Sequence, residues 1–179
     1  MKDISALDGF LIDLDGTIYV GDTLIPGAPE FIITLRQNQK RFLFLSNNSS
    51  KSRDTYRDKL RRLGIDVNRE EILNSTIAAA DLLSQQFPNA TVYPVGTPDF
   101  EMELISLGIS VSHTDADIVL LGFDTTLTYE KIRHATKLIR NGAHFFATHG
   151  DVFCPTEDGF IPDIGTIIPL FEKATNRSP

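Results

Sequence analysis

Gly9-Phe10-Leu11-Ile12-Asp13-Leu14-Asp15-Gly16-Thr17 is the stretch on which the reading of this 179-residue chain turns. A short apolar run followed by turn residues reads as a buried strand of a parallel sheet, here over residues 9–14. Side chains two apart on a strand share a face. Asp13 and Asp15 should therefore project together from the strand's C-terminal end, where open α/β sheets bind ligands. Two carboxylates that close repel each other unless a cation or a shared proton relieves them. The stretch points to a Mg2+ site, a proton-sharing pair, or both. The competing use of such acids is an N-cap or an Asx turn.

These residue types suit phosphoryl chemistry. A carboxylate can attack phosphorus and form an acyl phosphate, which splits hydrolysis into two easier steps. Asp13 is suited to attack, and Asp15 to protonate the leaving oxygen and later activate water. Mg2+ held by Asp13 and Asp15 would neutralise the acids and the phosphoryl group together. Gly16 lets the backbone turn sharply and turn its amides, with Thr17, toward phosphate oxygens. Ser46-Asn47-Asn48 follows a second apolar run, Phe42-Leu43-Phe44-Leu45, and precedes a helix. Ser46 and Asn47 there suit a phosphate, although a plain strand-to-helix turn capped by Ser49 or Ser50 uses the same residues.

Composition narrows the class. Hydrophobic content is 41% and charged content 23%, both ordinary for a globular protein. The net charge of −7 argues against a nucleic-acid partner, which needs a basic face. It leaves room for a phosphorylated substrate, because a metal can supply positive charge locally. The single cysteine, Cys154, rules out an internal disulfide and suits a reducing cytoplasm. Asp3 and Asp8 interrupt any apolar signal core, and no apolar run approaches the ~20 residues needed to span a bilayer. A cytoplasmic location and no membrane partner are expected.

Along the chain, strand and helix alternate. The pattern predicts a loop over 16–26, a helix over 28–39, a strand over 41–45 and a helix over 51–63 closed by Gly64. The six basic residues of that last helix (Lys51, Arg53, Arg57, Lys59, Arg61 and Arg62) read as a solvated face, with Lys51 or Arg53 near its start placed to lean toward an anion. Asn68 and Glu71 predict a capping box on a short helix over 68–73, and Ser75 a cap for a helix over 76–86, with no strand between them. Further strands are expected over 91–95, 118–121 and 145–147. Helices are expected from Pro98, capped by Thr97, and over 129–141, capped by Thr128. Residues 148–165 read as a long loop of the kind that is functional or disordered; His149, Asp151 and Cys154 could touch substrate there, with a solvated loop as the default reading. A last helix over 166–175 holds Pro169 in its first turn. His113 and His134 read as surface residues.

The two motifs resemble those of the haloacid dehalogenase superfamily, in its p-nitrophenylphosphatase-like branch with a type-2 cap. Asp13-Leu14-Asp15-Gly16-Thr17-Ile18-Tyr19 is similar to the first motif and Phe44-Leu45-Ser46-Asn47-Asn48-Ser49-Ser50 to the second. Weaker similarities run through Leu121-Gly122-Phe123-Asp124 and Ala147-Thr148 to Asp151 and Pro155-Thr156. The resemblance implies an α/β fold, with a Rossmann-like parallel-sheet core over residues 1–77 and an α/β cap over 78–179. It implies a Mg2+-dependent phosphatase in which Asp13 is the nucleophile, Asp15 the acid/base, and Asp13 with the Asp15 carbonyl the metal ligands. Ser46 and Asn47 would bind the phosphoryl group, and Asn48, Asp151 and Cys154 would face substrate from the cap side.

Two features depart from the pattern. The family shows Asn at the position of His149, and Gly where Asp163 follows Pro162. The core's later Gly-Lys-Pro lysine and Gly-Asp…Thr-Asp motif do not occur, so the core is expected to be incomplete at its C-terminus. One side of its sheet would then be unfilled, and Mg2+ binding and turnover weak in this chain alone. The partners expected are a small phosphorylated metabolite and, through the cap, a second copy of the chain. The competing functions are a noncatalytic binding or scaffold protein on the same fold and a receiver-like phosphoacceptor domain.

Overall fold

The computed structural model describes residues 7–156 and 159–179. The chain forms two compact units. The first runs to Ser46 and resumes over Arg53–Leu73; the second comprises Asn47–Ser52 and Asn74–Pro179. This division falls at Leu73 rather than at residue 77, and it assigns the polar loop after the second long strand to the second unit. Hydrogen bonds explain the loop's allegiance. Ser75 Oγ donates to the Asn47 carbonyl, Asn74 Nδ2 to that of Lys51 and Thr97 Oγ1 to that of Ser50, while the Phe123 amide donates to Ser49 Oγ.

The first unit contains β1 (Gly9–Asp13), β2 (Tyr19–Val20), β3 (Thr23–Leu24), α1 (Ala28–Gln37), β4 (Arg41–Ser46), α2 (Arg53–Arg62) and β5 (Ile72–Asn74). Its sheet has the order β1-β4-β5. β1 and β4 run parallel, from Gly9 opposite Arg41 to Asp13 opposite Leu45. Ile12, Leu14, Phe42 and Phe44 turn inward onto Ile32 and Leu35 of α1 and Tyr56 and Leu60 of α2. Leu11 stays 72% exposed on β1, the edge strand of this sheet. An open cavity of about 770 Å³ lies at the opposite end of the strands from the acids, lined by Phe10, Leu11, Arg36, Arg41 and Phe42 among others.

Two expectations for this unit are corrected. Residues 19–24, read as loop, form an antiparallel hairpin turning through Gly21-Asp22, with Gly21 at φ 53°. Strands of two residues are too short to show a period. The helix expected over 68–73 is a single 3-10 turn, Arg69–Glu71, and β5 follows it directly, so a strand does intervene before the next helix. Glu71 still reaches back 2.7 Å to the Asn68 amide, so the capping chemistry is present on a shorter element.

The second unit contains α3 (Ser75–Gln86), β6 (Thr91–Val95), α4 (Pro98–Ser106), β7 (Ser110–Val111), β8 (Ile118–Leu121), α5 (Tyr129–Arg140), β9 (His144–Ala147), β10 (Phe153–Thr156), β11 (Gly159–Pro162) and α6 (Ile164–Thr175). A parallel sheet of order β7-β6-β8-β9 is its centre. Pro94 lies within β6 because β7 pairs only with Thr91 and Val92, leaving no ladder partner on that side for the missing N–H. Thr97 and Thr128 cap α4 and α5 as expected, whereas α3 is capped by the side chain of Asn74 and not of Ser75. No helix among the described residues is long and apolar enough to cross a membrane.

The expected loop over 148–165 is instead mostly the hairpin β10–β11, paired from Phe153 opposite Pro162 to Thr156 opposite Gly159. α6 begins at Ile164, so Pro169 lies beyond the first turn. The amide it lacks would have met the Gly165 carbonyl. Burial of Ile164 and Phe171, with Ile167 and Ile168 packed on the same cluster, holds the helix despite that loss. His134 is half-buried, with Nε2 2.9 Å from the Thr114 carbonyl and its ring against Tyr93, rather than a surface residue; His113 is exposed.

Phe100 of α4 is fully buried against two bare backbones. A Cβ at Gly96 would stand 2.1 Å from its ring, and one at Gly122 2.9 Å. Gly96→Ala should therefore lower unfolding free energy by roughly 1–3 kcal/mol, the usual cost of overpacking, in a urea melt; an unchanged midpoint would show that the ring is free to move.

Candidate active site

Parallel pairing brings the first motif and Ser46 to one end of the sheet. Asp13 closes β1 opposite Leu45, and Ser46 closes β4 one residue later. Ile12 and Leu14 are buried while Asp13 and Asp15 are exposed, so the strand alternation continues one residue past β1. Gly16, at φ 89°, takes the left-handed conformation that a side chain resists. The turn it permits closes through Gly16 N–H to the Tyr19 carbonyl at 2.8 Å and Ile18 N–H to that of Leu14 at 2.9 Å. The turn returns Thr17 onto the first acid: its Oγ1 donates to Asp13 Oδ2 at 3.1 Å.

The floor beneath these groups is polar and buried. Tyr56 Oη and the buried Ser46 Oγ lie 3.2 Å apart. Lys59, expected on a solvated face, is instead buried, its Nζ 3.8 Å from the centre of the Tyr19 ring and 3.8 Å from Asp22 Oδ1. The aromatic face and the carboxylate compensate the desolvated ammonium. Burial pushes the Tyr19 phenol well above its ordinary range, and the negative charge of Asp15, with smaller contributions from Tyr56, Asp13 and Asp22, pushes the same way. Tyr19 is therefore a neutral hydroxyl throughout the physiological range.

The remaining candidates lie in the second unit. Asn47 Nδ2 donates to Asp151 Oδ2. Asn48 turns inward on its own backbone, with Oδ1 accepting from the Ser50 amide at 2.8 Å, a local Asx turn. Cys154, on β10, is half-buried against the apolar cluster around Phe145 and Phe171. The structure thus joins Asp13 with Thr17, and Asn47 with Asp151, and gives Asn48 and Cys154 contacts of a structural kind.

A family model described as haloacid dehalogenase-like hydrolase matches residues 10–110. The chain belongs to the haloacid dehalogenase-like hydrolases. It is 41% identical over 171 residues to a Staphylococcus epidermidis protein named acid sugar phosphatase, covering 95% of this chain and 66% of that one. It therefore spans about two thirds of the length of its curated relatives. Its fold is similar to the crystal structure of a 4-nitrophenylphosphatase from Thermotoga maritima, with TM-score 0.93 and 38% identity over 98% of this chain and 67% of that chain. It is also similar to a glycerol phosphate phosphatase of Mycobacterium tuberculosis in complex with magnesium, with TM-score 0.89 and 34% identity over 100% of this chain and 56% of that chain.

Beyond the two motifs of this hydrolase family, four residues were missed as site supports. Tyr56 carries no sequence signal, since its partnership with Ser46 exists only once α2 packs under β4. Ser49 and Thr148 meet at 3.1 Å across 99 residues of chain. Asp163 does carry one: an acid directly before the apolar run Ile164 to Phe171 is an N-cap signature. It would also have moved the start of the last helix to its observed position.

The Ser46–Tyr56 contact can be weighed by a double-mutant cycle. Ser46→Ala and Tyr56→Phe, alone and combined, should show a coupling of ~0.5–1.5 kcal/mol in urea unfolding, the net worth of one buried hydrogen bond. Strict additivity would mean that the two hydroxyls do not support each other.

Proposed function

We propose that the chain carries the nucleophile and acid/base of a phosphomonoester hydrolase that acts on a small phosphorylated metabolite through an aspartyl-phosphate intermediate. The observation that supports it most is the common ending of β1 and β4, which aligns Asp13, Asp15, Thr17 and Ser46 at one sheet end. The name printed for the staphylococcal relatives, and the glycerol phosphate phosphatase among the structural neighbours, favour a sugar or polyol phosphate as the substrate class.

In this reading Thr17 holds Asp13 Oδ2, which directs the other carboxylate oxygen at phosphorus. Attack forms the Asp13 acyl phosphate as the bond to the ester oxygen breaks, and Asp15, protonated, gives its proton to that oxygen. Asp15 then takes a proton from water. The water oxygen bonds to phosphorus, and Asp13 leaves as a free carboxylate.

The Asp13 carboxylate and the Asp15 backbone carbonyl are hard oxygen donors of the kind Mg2+ takes, and both residues are exposed at the strand end. Among the described residues no group of three or more His, Cys, Asp or Glu could form a metal cage. When bound, Mg2+ would offset the charge of the acids and of the transferring phosphoryl group.

Phosphate release from 4-nitrophenyl phosphate and from sugar phosphates tests the reading. Activity should require Mg2+, vanish with EDTA and return on adding Mg2+. Asp15→Asn should cost about 10²–10⁴-fold in kcat, and Asp13→Asn should remove turnover. Equal release above background by wild type and Asp13→Asn would refute the assignment.

A further inference from the structure

A continuous hydrogen-bonded chain runs through the second unit from a helix start to the loop that carries Asn47. It begins at α6, where Asp163 Oδ1 accepts from the Ile164 amide at 2.7 Å and lies 3.1 Å from His149 Nε2. His149 Nδ1 lies 3.2 Å from Thr148 Oγ1, which lies 3.1 Å from Ser49 Oγ. Ser49 Oγ in turn accepts from the Phe123 amide at 2.8 Å. The chain is shielded: Ser49 is fully buried, and the His149 and Asp163 side chains are only 9% and 4% exposed.

Its donor directions follow from the chemistry of its ends. An ionised carboxylate only accepts, so His149 carries hydrogen on Nε2. In that tautomer Nδ1 accepts a hydrogen bond from the Thr148 hydroxyl. Thr148 Oγ1 accepts from the Ser49 hydroxyl, whose oxygen takes the Phe123 amide. Every link thus has one donor and one acceptor, the arrangement in which a buried polar network rigidifies its surroundings.

The same segment is held by backbone. The Asp163 amide donates to the Val152 carbonyl at 3.0 Å and the Gly165 amide to that of Asp151 at 2.8 Å. The approach is close enough that a Cβ on Gly165 would stand 2.4 Å from the Gly150 oxygen and 2.8 Å from that of Asp151. The outcome is a fixed backbone at Asp151, whose carboxylate accepts from Asn47 Nδ2. Since that carboxylate can only accept, it selects the carboxamide orientation in which nitrogen, not oxygen, faces it. In that orientation Nδ2 carries a second hydrogen to donate.

We propose that His149 and Asp163, acting through Thr148 and Ser49 on one side and Gly150-Asp151 on the other, are positioning residues that set the Asn47 carboxamide for phosphate. The proposal rests on the phosphatase reading for its ligand, but not for its geometry. It also gives the β10–β11 hairpin a role, because the clamp closes the base of that hairpin, at Asp151 and Asp163.

Two variants of the full chain test it without touching Asn47. Thr148→Val removes the central hydroxyl at nearly constant shape, and Gly165→Ala pushes the Gly150-Asp151 backbone away. Each is compared with wild type by the ¹⁵N NMR signals of the Asn47 side-chain amide, by KM and kcat on 4-nitrophenyl phosphate, and by thermal melt. Both should displace the Asn47 amide signals and raise KM about tenfold, the worth of about one hydrogen bond, with kcat within about threefold. The His149 ring nitrogens should show the Nε2–H tautomer in wild type, and the opposite tautomer would overturn the proposed donor directions.

Amide signals that stay in place while the melting temperature falls would reduce the network to a structural brace and overturn the proposal. Displaced signals with unchanged KM would overturn its link to substrate. If Asp13→Asn proved as active as wild type, the phosphatase reading would fall, and the Asn47 amide signals alone would decide whether the relay exists.

Discussion

The parallel pairing of β1 with β4 is the constraint on which the candidate site depends. Its register places Phe10, Ile12 and Leu14 against α1 and α2 and leaves Asp13 and Asp15 outside. A slip of one residue would exchange the two sets, because the side-chain period of a strand is two. Both carboxylates would then enter an apolar core and Ile12 and Leu14 would leave it, a cost that burial of Leu11 could not offset. The same register decides that Ser46 emerges one residue beyond the level of Asp13. The apolar pattern that folds the first unit and the polar pattern that equips it are therefore one pattern read on two faces.

What was legible in the sequence is what has a local cause. β1 and β4 are continuous apolar runs, α4 has Thr97-Pro98 at its head, and α5 has Thr128 before an amphipathic face. The missed elements are short or depend on a distant partner. β2, β3 and β7 have two residues each, too few to alternate. β5 is three residues that extend the β1–β4 sheet, and its sequence Ile-Leu-Asn favours no particular state on its own. The β10–β11 hairpin contains Pro155 and Pro162, which argued against strand. As a two-stranded ribbon it has free edges on which a missing amide costs nothing in the ladder.

The candidate site divides in the same way. Asp13 and Asp15 announce themselves by a spacing of two after an apolar run, and Ser46 by its place at a strand end. Lys59 was misread because a helix with five basic residues gives no hint that one of them lies across an aromatic ring from another element. The two departures from the family pattern, His149 and Asp163, were visible as departures. That they are each other's partner was not, since fourteen residues and a hairpin separate them. The histidine bridges Thr148 and a carboxylate that also caps α6.

Charge explains why these supports matter in a chain whose net charge is −7. A phosphate dianion approaching Asp13 and Asp15 meets two exposed carboxylates, and the hydroxyls of Thr17 and Ser46 are neutral. The ammonium of Lys59 is turned to the Tyr19 ring and Asp22. Neutral donors can orient an anion but cannot cancel its repulsion from two acids, which at 4 Å and an effective dielectric near 20 is on the order of 4 kcal/mol per pair of unit charges. A divalent cation between the acids and the phosphate reverses the sign of that interaction. The neutral donors are then left with the task they can perform, which is to fix direction. Direction is also what the Asp163–His149–Thr148–Ser49 chain and the Asp151 carboxylate would impose on Asn47.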